Sequence, residues 1–93
     1  MPKKVKTLVT PNLDQPLTPE LLGEAIKAKR TQGHLRLEDA ALLCGVAKQT
    51  LMRIEHGEPN SQFGTVLQIC DQLGIKLSIL PWVENNHEHD EWF

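Results

Sequence analysis

Between residues 18 and 74 the chain falls into four short stretches of helical apolar spacing, and a glycine closes each one: Gly33, Gly45, Gly57 and Gly74. Helices this short hold their shape by burying one face against one another, so the pattern demands a small helical bundle. A chain of 93 residues has room for one domain. A core of that size gives marginal stability, which association with partner chains supplements.

The first stretch, LTPELLGEAIKAKRTQG, carries a complete start signal. Thr18 suits the N-cap, Pro19 the first helical position, and Glu20 the positive end of the helix dipole. Leu21, Leu22, Ala25, Ile26 and Ala28 make its inner side. A second helix is predicted over 37–44, with Gly45 placed for a left-handed C-cap and with Ala40, Ala41 and Cys44 small enough to let another helix cross closely. The third covers 48–56. After the polar turn GEPNS the fourth covers 62–73, where Phe63, Val66, Leu67, Cys70 and Leu73 recur at helical spacing. Residues 1–17, with three prolines, read as an N-terminal arm, 18–81 as the domain, and 82–93 as an acidic, aromatic tail.

IKLSIL, residues 75–80, breaks the helical period and stops at Pro81, as a short strand does. A lone strand leaves its backbone polar groups unpaired, so it must find either KVKTLV in the arm or the same strand of a second copy. The second option gives a homodimer with Ile75, Leu77 and Ile79 at the seam, and Ile69, set off the main stripe of the fourth helix, widens it.

The formal charge of −2 speaks against a nucleic-acid partner until its distribution is seen. Residues 1–19 carry +2, 20–57 +1, 58–83 −1 and 84–93 −4, so a mildly basic body is joined to an acidic tail. No run has the length of a membrane span, and the charged MPKKVKTLVTPN lacks the apolar stretch of a signal peptide, which places the chain in the cytoplasm. Cys44 and Cys70 sit in apolar helical patterns without zinc-ligand spacing and read as buried, reduced thiols. His87, Glu88, His89 and Asp90 are closely spaced on a tail with nothing to orient them, a weak metal site, so no metal or other cofactor is expected. No nucleophile and base pair, phosphate loop or supported carboxylate pair argues for an enzyme.

On a helical wheel Ala47, Leu51 and Ile54 share one face of the third helix, while Lys48, Gln49, Met52 and Arg53 share the opposite one. Small residues at a crossing, the turn Gly45-Val46-Ala47, then a short helix is the geometry that pushes a second helix into a DNA major groove. Residues 35–57, LRLEDAALLCGVAKQTLMRIEHG, resemble the lambda-repressor-like (Xre/Cro) helix-turn-helix family. Leu35, Ala41, Gly45, Val46, Leu51, Ile54, Glu55 and Gly57 stand where its pattern places them, and the first and fourth helices extend the match over roughly residues 20–74. The resemblance implies a mainly α, four-helix DNA-binding domain, here with a C-terminal strand pairing across a dimer. It assigns Glu55 to tying down the end of the third helix.

Three positions depart from the family pattern. Arg36 and Ala47 replace the usual Ser/Thr caps of the second and third helices, each cap worth about 1 kcal/mol, and Leu37 replaces a glutamine that commonly faces phosphate. Within the pattern, Gln49 suits adenine, Arg53 or Lys48 guanine, and Met52 a thymine methyl. Lys27, Arg30, Arg36 and Thr50 are candidates for phosphate contact, and for Lys27 and Lys29 ordinary solvated charge is an equal alternative. A dimer with two such helices reads an inverted repeat in double-stranded DNA.

The helix-then-strand ending, GEPNSQFGTVLQICDQLGIKLSIL, is similar to HipB-type antitoxins. That resemblance implies a repressor of its own operon that binds and neutralises a HipA-like serine/threonine kinase toxin. The tail WVENNHEHDEWF fits it: aromatics are favoured interface anchors, so Trp92 and Phe93 are expected to dock on the toxin, while Trp82 packs locally. Two alternatives stay open, a stand-alone Xre-type repressor and an antitoxin of a ribonuclease toxin.

Overall fold

The computed structural model describes residues 5–83. Four helices form in the order α1 (Pro19–Gln32), α2 (Leu37–Cys44), α3 (Lys48–Glu55) and α4 (Phe63–Leu73). Their ends follow local chemistry. The Leu21 amide donates to the Thr18 hydroxyl at 3.0 Å, and Pro19 opens the first turn of α1. Gly45 and Gly74 close α2 and α4 in the left-handed conformation, at φ 71° and 78°. Neither Arg36 nor Ala47 makes a side-chain cap, as their side chains dictate.

The core gathers one stripe from each helix: Ile26 from α1, Ala40, Ala41 and Cys44 from α2, Leu51 and Ile54 from α3, and Val66, Ile69, Cys70 and Leu73 from α4. Burial raises the pKa of both the Cys44 and the Cys70 thiol, and for Cys70 the nearby Cys44 adds to the effect. The Ile69 expectation is corrected here. It is 0% exposed, a core residue of its own chain, and has no surface to offer a second copy. Phe63 and Leu67, placed in the stripe by spacing, face outward instead. The α4 stripe is rotated toward Ile69 because α1 and α2 pack on that side.

Two close approaches bind α1 to the far end of α3. A Cβ at Gly23 would lie 2.5 Å from the Ile54 carbonyl oxygen and 2.6 Å from that of Glu55, so the two backbones meet where only hydrogen fits. Arg30 supplies the second. Its Nε and Nη2 donate to the two carboxylate oxygens of Glu55 at 2.6 and 3.0 Å, and Nη1 donates to the Leu35 carbonyl at 2.9 Å.

The arm lies along the last turn of α1. The Leu8 amide donates to Thr31 Oγ1 at 3.0 Å, and Gln32 Nε2 donates to the Leu8 carbonyl and to Thr10 Oγ1. Residues 75–80 do not pair with it. Ile75 donates back to the Cys70 carbonyl at 2.8 Å, ending α4, and among the described residues the backbone of 76–80 makes no backbone hydrogen bond. No strand forms among the described residues. Ile75 and Leu77 rest against the edge of the core, while Ile79 points away from it.

Candidate nucleic-acid interface

The helix α3 is held from behind. Leu51 and Ile54 sink into the core, Gly23 meets its terminal carbonyls, and Glu55 is locked to Arg30. Gly57, at φ 87°, turns the chain beside Glu20 at the start of α1. With the rear face so occupied, Lys48, Gln49, Met52 and Arg53 stand together on the open side, all exposed. A cation, an amide, a thioether and a guanidinium on one ridge offer donors, one acceptor and an apolar contact, the inventory that base edges in a major groove require.

The turn from α2 to α3 is tight because Val46 donates to the Ala41 carbonyl at 3.0 Å and Gly45 takes the left-handed conformation. Gln68 reaches from α4 to the Cys44 carbonyl at 2.6 Å, satisfying the end of α2 and tying α4 to this turn. Sequence reasoning missed Gln68 altogether. A hollow of about 500 Å³ lies beside α3, lined by Thr50, Arg53, Ile54, Glu58, Asn60, Ser61, Gln62 and Thr65. It joins the turn before α4 to the ridge, an extension that the polar run GEPNS signalled only as a loop.

The four phosphate candidates separate. Arg30 is 7% exposed and all three of its guanidinium nitrogens are committed within the protein, so its assignment to phosphate is corrected to a structural tie. Its position four residues after Ile26, on the inner side of α1, carried that signal. Arg36 is exposed at the start of α2 and pairs with Asp39 at 3.1 Å, an ion pair open to solvent that a stronger anion can exchange for itself. Lys27 and Thr50 are half-buried. Trp92, Phe93 and the His87 to Asp90 cluster lie outside the described residues.

The helix-turn-helix family HTH_3 matches residues 26–80, from the second half of α1 through the segment after α4. The chain belongs to this family. HTH_3 is a family of DNA-binding transcriptional regulators, and the chain is a regulator of that kind. An uncharacterised HTH-type transcriptional regulator, y4mF of Sinorhizobium fredii (strain NBRC 101917 / NGR234), is 33% identical over 63 residues, spanning 68% of this chain and 83% of its own. Among solved structures, HipB in the HipA-HipB-O2-O3 complex superposes with a TM-score of 0.66 over 74% of this chain and 97% of that one, at 20% identity. The clp gene regulator ClgR of Corynebacterium glutamicum superposes with a TM-score of 0.56 over 67% of this chain and 80% of its own, at 26% identity. These likenesses show a helix-turn-helix fold of the same kind for the four helices. Among the described residues no helix is long and apolar enough to cross a membrane.

Proposed function

We propose that the chain is the antitoxin and autorepressor of a type II toxin-antitoxin operon. It binds an inverted-repeat operator as a homodimer and neutralises a HipA-like serine/threonine kinase toxin in the cytoplasm. The observation that carries this is the extent of the likeness to HipB, which takes in 97% of that chain and 74% of this one. HipB occurs in complex with HipA.

In this reading Lys48, Gln49, Met52 and Arg53 read bases, each good bidentate pair supplying about 1 to 3 kcal/mol of discrimination. Lys27, Arg36 and Thr50 hold phosphates, Arg36 by leaving Asp39. Ile75, Leu77 and Ile79 meet their copies across a two-fold axis, which supplies the backbone partners that residues 76–80 lack among the described residues. Residues 1–17 act as an arm, 18–81 as the DNA-binding and dimerising domain, and 82–93 as the tail whose Trp92 and Phe93 dock on the toxin.

The test is a pull-down of a HipA-like kinase with the full chain and with a chain lacking residues 84–93. Capture by the full chain and loss of capture without the tail is the expected result. Equal capture by both rejects the tail's role, and no capture by either rejects the kinase partner. In that last case the likeness to y4mF, a transcriptional regulator, favours a stand-alone repressor.

A further inference from the structure

Beside the helices runs an open groove of about 980 Å³ that DNA recognition does not use. One wall is the arm, with Leu13 and Leu17. The floor is α1, with Leu21, Leu22 and Ala25, and the other wall is the segment after α4, with Leu77 and Leu80. The arm is fastened at both ends of this stretch, by Leu8 and Thr10 to the last turn of α1 and by Thr18 to its first. Between them it stands off the helix, and an Asn12 turn, with the Asp14 amide donating to Asn12 Oδ1 at 2.9 Å, shapes the bend.

A polypeptide that leaves this groove unfilled exposes an unusual amount of apolar surface at one end. Leu13 and Leu17 are both 59% exposed, and Ile79, Leu80, Trp82 and Val83 are between 72 and 94% exposed. An occupant must therefore bring apolar side chains, and it must also bring an extended backbone, because residues 76–80 make no backbone hydrogen bond within the described chain. Residues 75–83 have both properties. They cannot fill the groove of their own chain, since residues 75–78 and Leu80 already form its wall. A second copy supplies the same segment in the same register, and a two-fold axis lets each copy give its segment and receive the other's.

We infer that residues 13–17 of each copy clasp the exposed end, residues 79–83, of the other, making the N-terminal arm a dimerisation element. This rests on the dimer reading above and adds the arm to it. Burying the six exposed side chains removes roughly 350 to 600 Å² of apolar surface per copy, from the area that ordinary aliphatic and aromatic burial represents. Two paired strand backbones bring the total toward the ~800 Å² per partner of a standard stable interface.

The experiment uses the full chain carrying Trp92→Phe, so that Trp82 alone reports, and follows dimerisation by sedimentation equilibrium and Trp82 emission. Leu13→Ser with Leu17→Ser is expected to weaken the dimer at least tenfold and to shift Trp82 emission to the red, with helical content by far-UV circular dichroism unchanged. Ile79→Ser is the comparison for the strand seam. A dimer weakened by Ile79→Ser and untouched by the arm variant overturns the clasp while leaving the dimer reading intact. A parent protein that is monomeric at every concentration overturns both, and blue-shifted Trp82 emission in that monomer assigns the groove to the chain's own tail. If the double substitution lowers helical content, deletion of residues 1–17 replaces it, and an unchanged dimer there likewise overturns the clasp.

Discussion

Glu55→Gln changes one atom of the chain and removes the charge that Arg30 is buried against. The side chains of the pair are 8% and 4% exposed, so neither partner has water to fall back on when the other is neutralised. Removing one member of such a pair costs about 3 to 5 kcal/mol, and the lower end applies because the amide oxygen still accepts one hydrogen bond. A domain of this size has on the order of 3 to 9 kcal/mol in total, so the substitution takes away a third or more of it. With a urea slope near 1 kcal/mol per molar, the unfolding midpoint followed by circular dichroism at 222 nm drops by about 3 M. The loss should persist at high salt, because ions do not screen a pair they cannot reach. Joint replacement by Arg30→Met and Glu55→Leu should recover most of the loss, since no unpaired charge is left behind. A midpoint shift below about 1 M for Glu55→Gln, or a double variant no more stable than the single one, refutes the reasoning.

Gly23→Ala places a methyl group against two backbone carbonyls, and overpacking of this kind costs about 1 to 3 kcal/mol; a thermal midpoint within 2 °C or so of the parent's would contradict the close approach. His34 holds φ 61° in the turn before α2, where a side chain costs about 1 to 2 kcal/mol, so His34→Gly should raise the thermal midpoint by a few degrees despite glycine's entropy. Burial raises the pKa of both thiols, which makes the unfolded chain the first to ionise as pH rises. Their contribution to stability is whole below about pH 8.5 and is lost as pH climbs through the folded-state values. The chain has no tyrosine to confuse that limb, so urea titrations from pH 7 to 10 should show a decline that flattens in Cys44→Ala with Cys70→Ala.

The helix boundaries were legible because caps and stops are local chemistry: Thr18 followed by Pro19, and glycines at 45 and 74, act through their own backbones. The outward ridge of α3 was legible for a related reason, since eight residues with Leu51 and Ile54 inward leave Lys48, Gln49, Met52 and Arg53 one place to go. Faces of helices bordered on two sides were harder. Leu67 and Ile69 both fit a stripe through Val66, Cys70 and Leu73, and the choice between them belongs to the helices that pack there. Arg30 was read by its charge and settled by its angle. Gly23, in the middle of a good helix where alanine would be about 1 kcal/mol better, went unread, and what it meets, the Ile54 and Glu55 carbonyls, is decided by how α1 packs on α3.

The grip on α3 lies entirely at its back and its far end, through Leu51, Ile54, Glu55 and the carbonyls facing Gly23. Among the described residues no hydrogen bond or ion pair that fastens the helix passes through the four outward side chains. Under the proposed base-reading role they are an interchangeable head on a fixed mount: a new set grafted in at 48, 49, 52 and 53 should redirect the preferred DNA sequence without renegotiating how the protein folds.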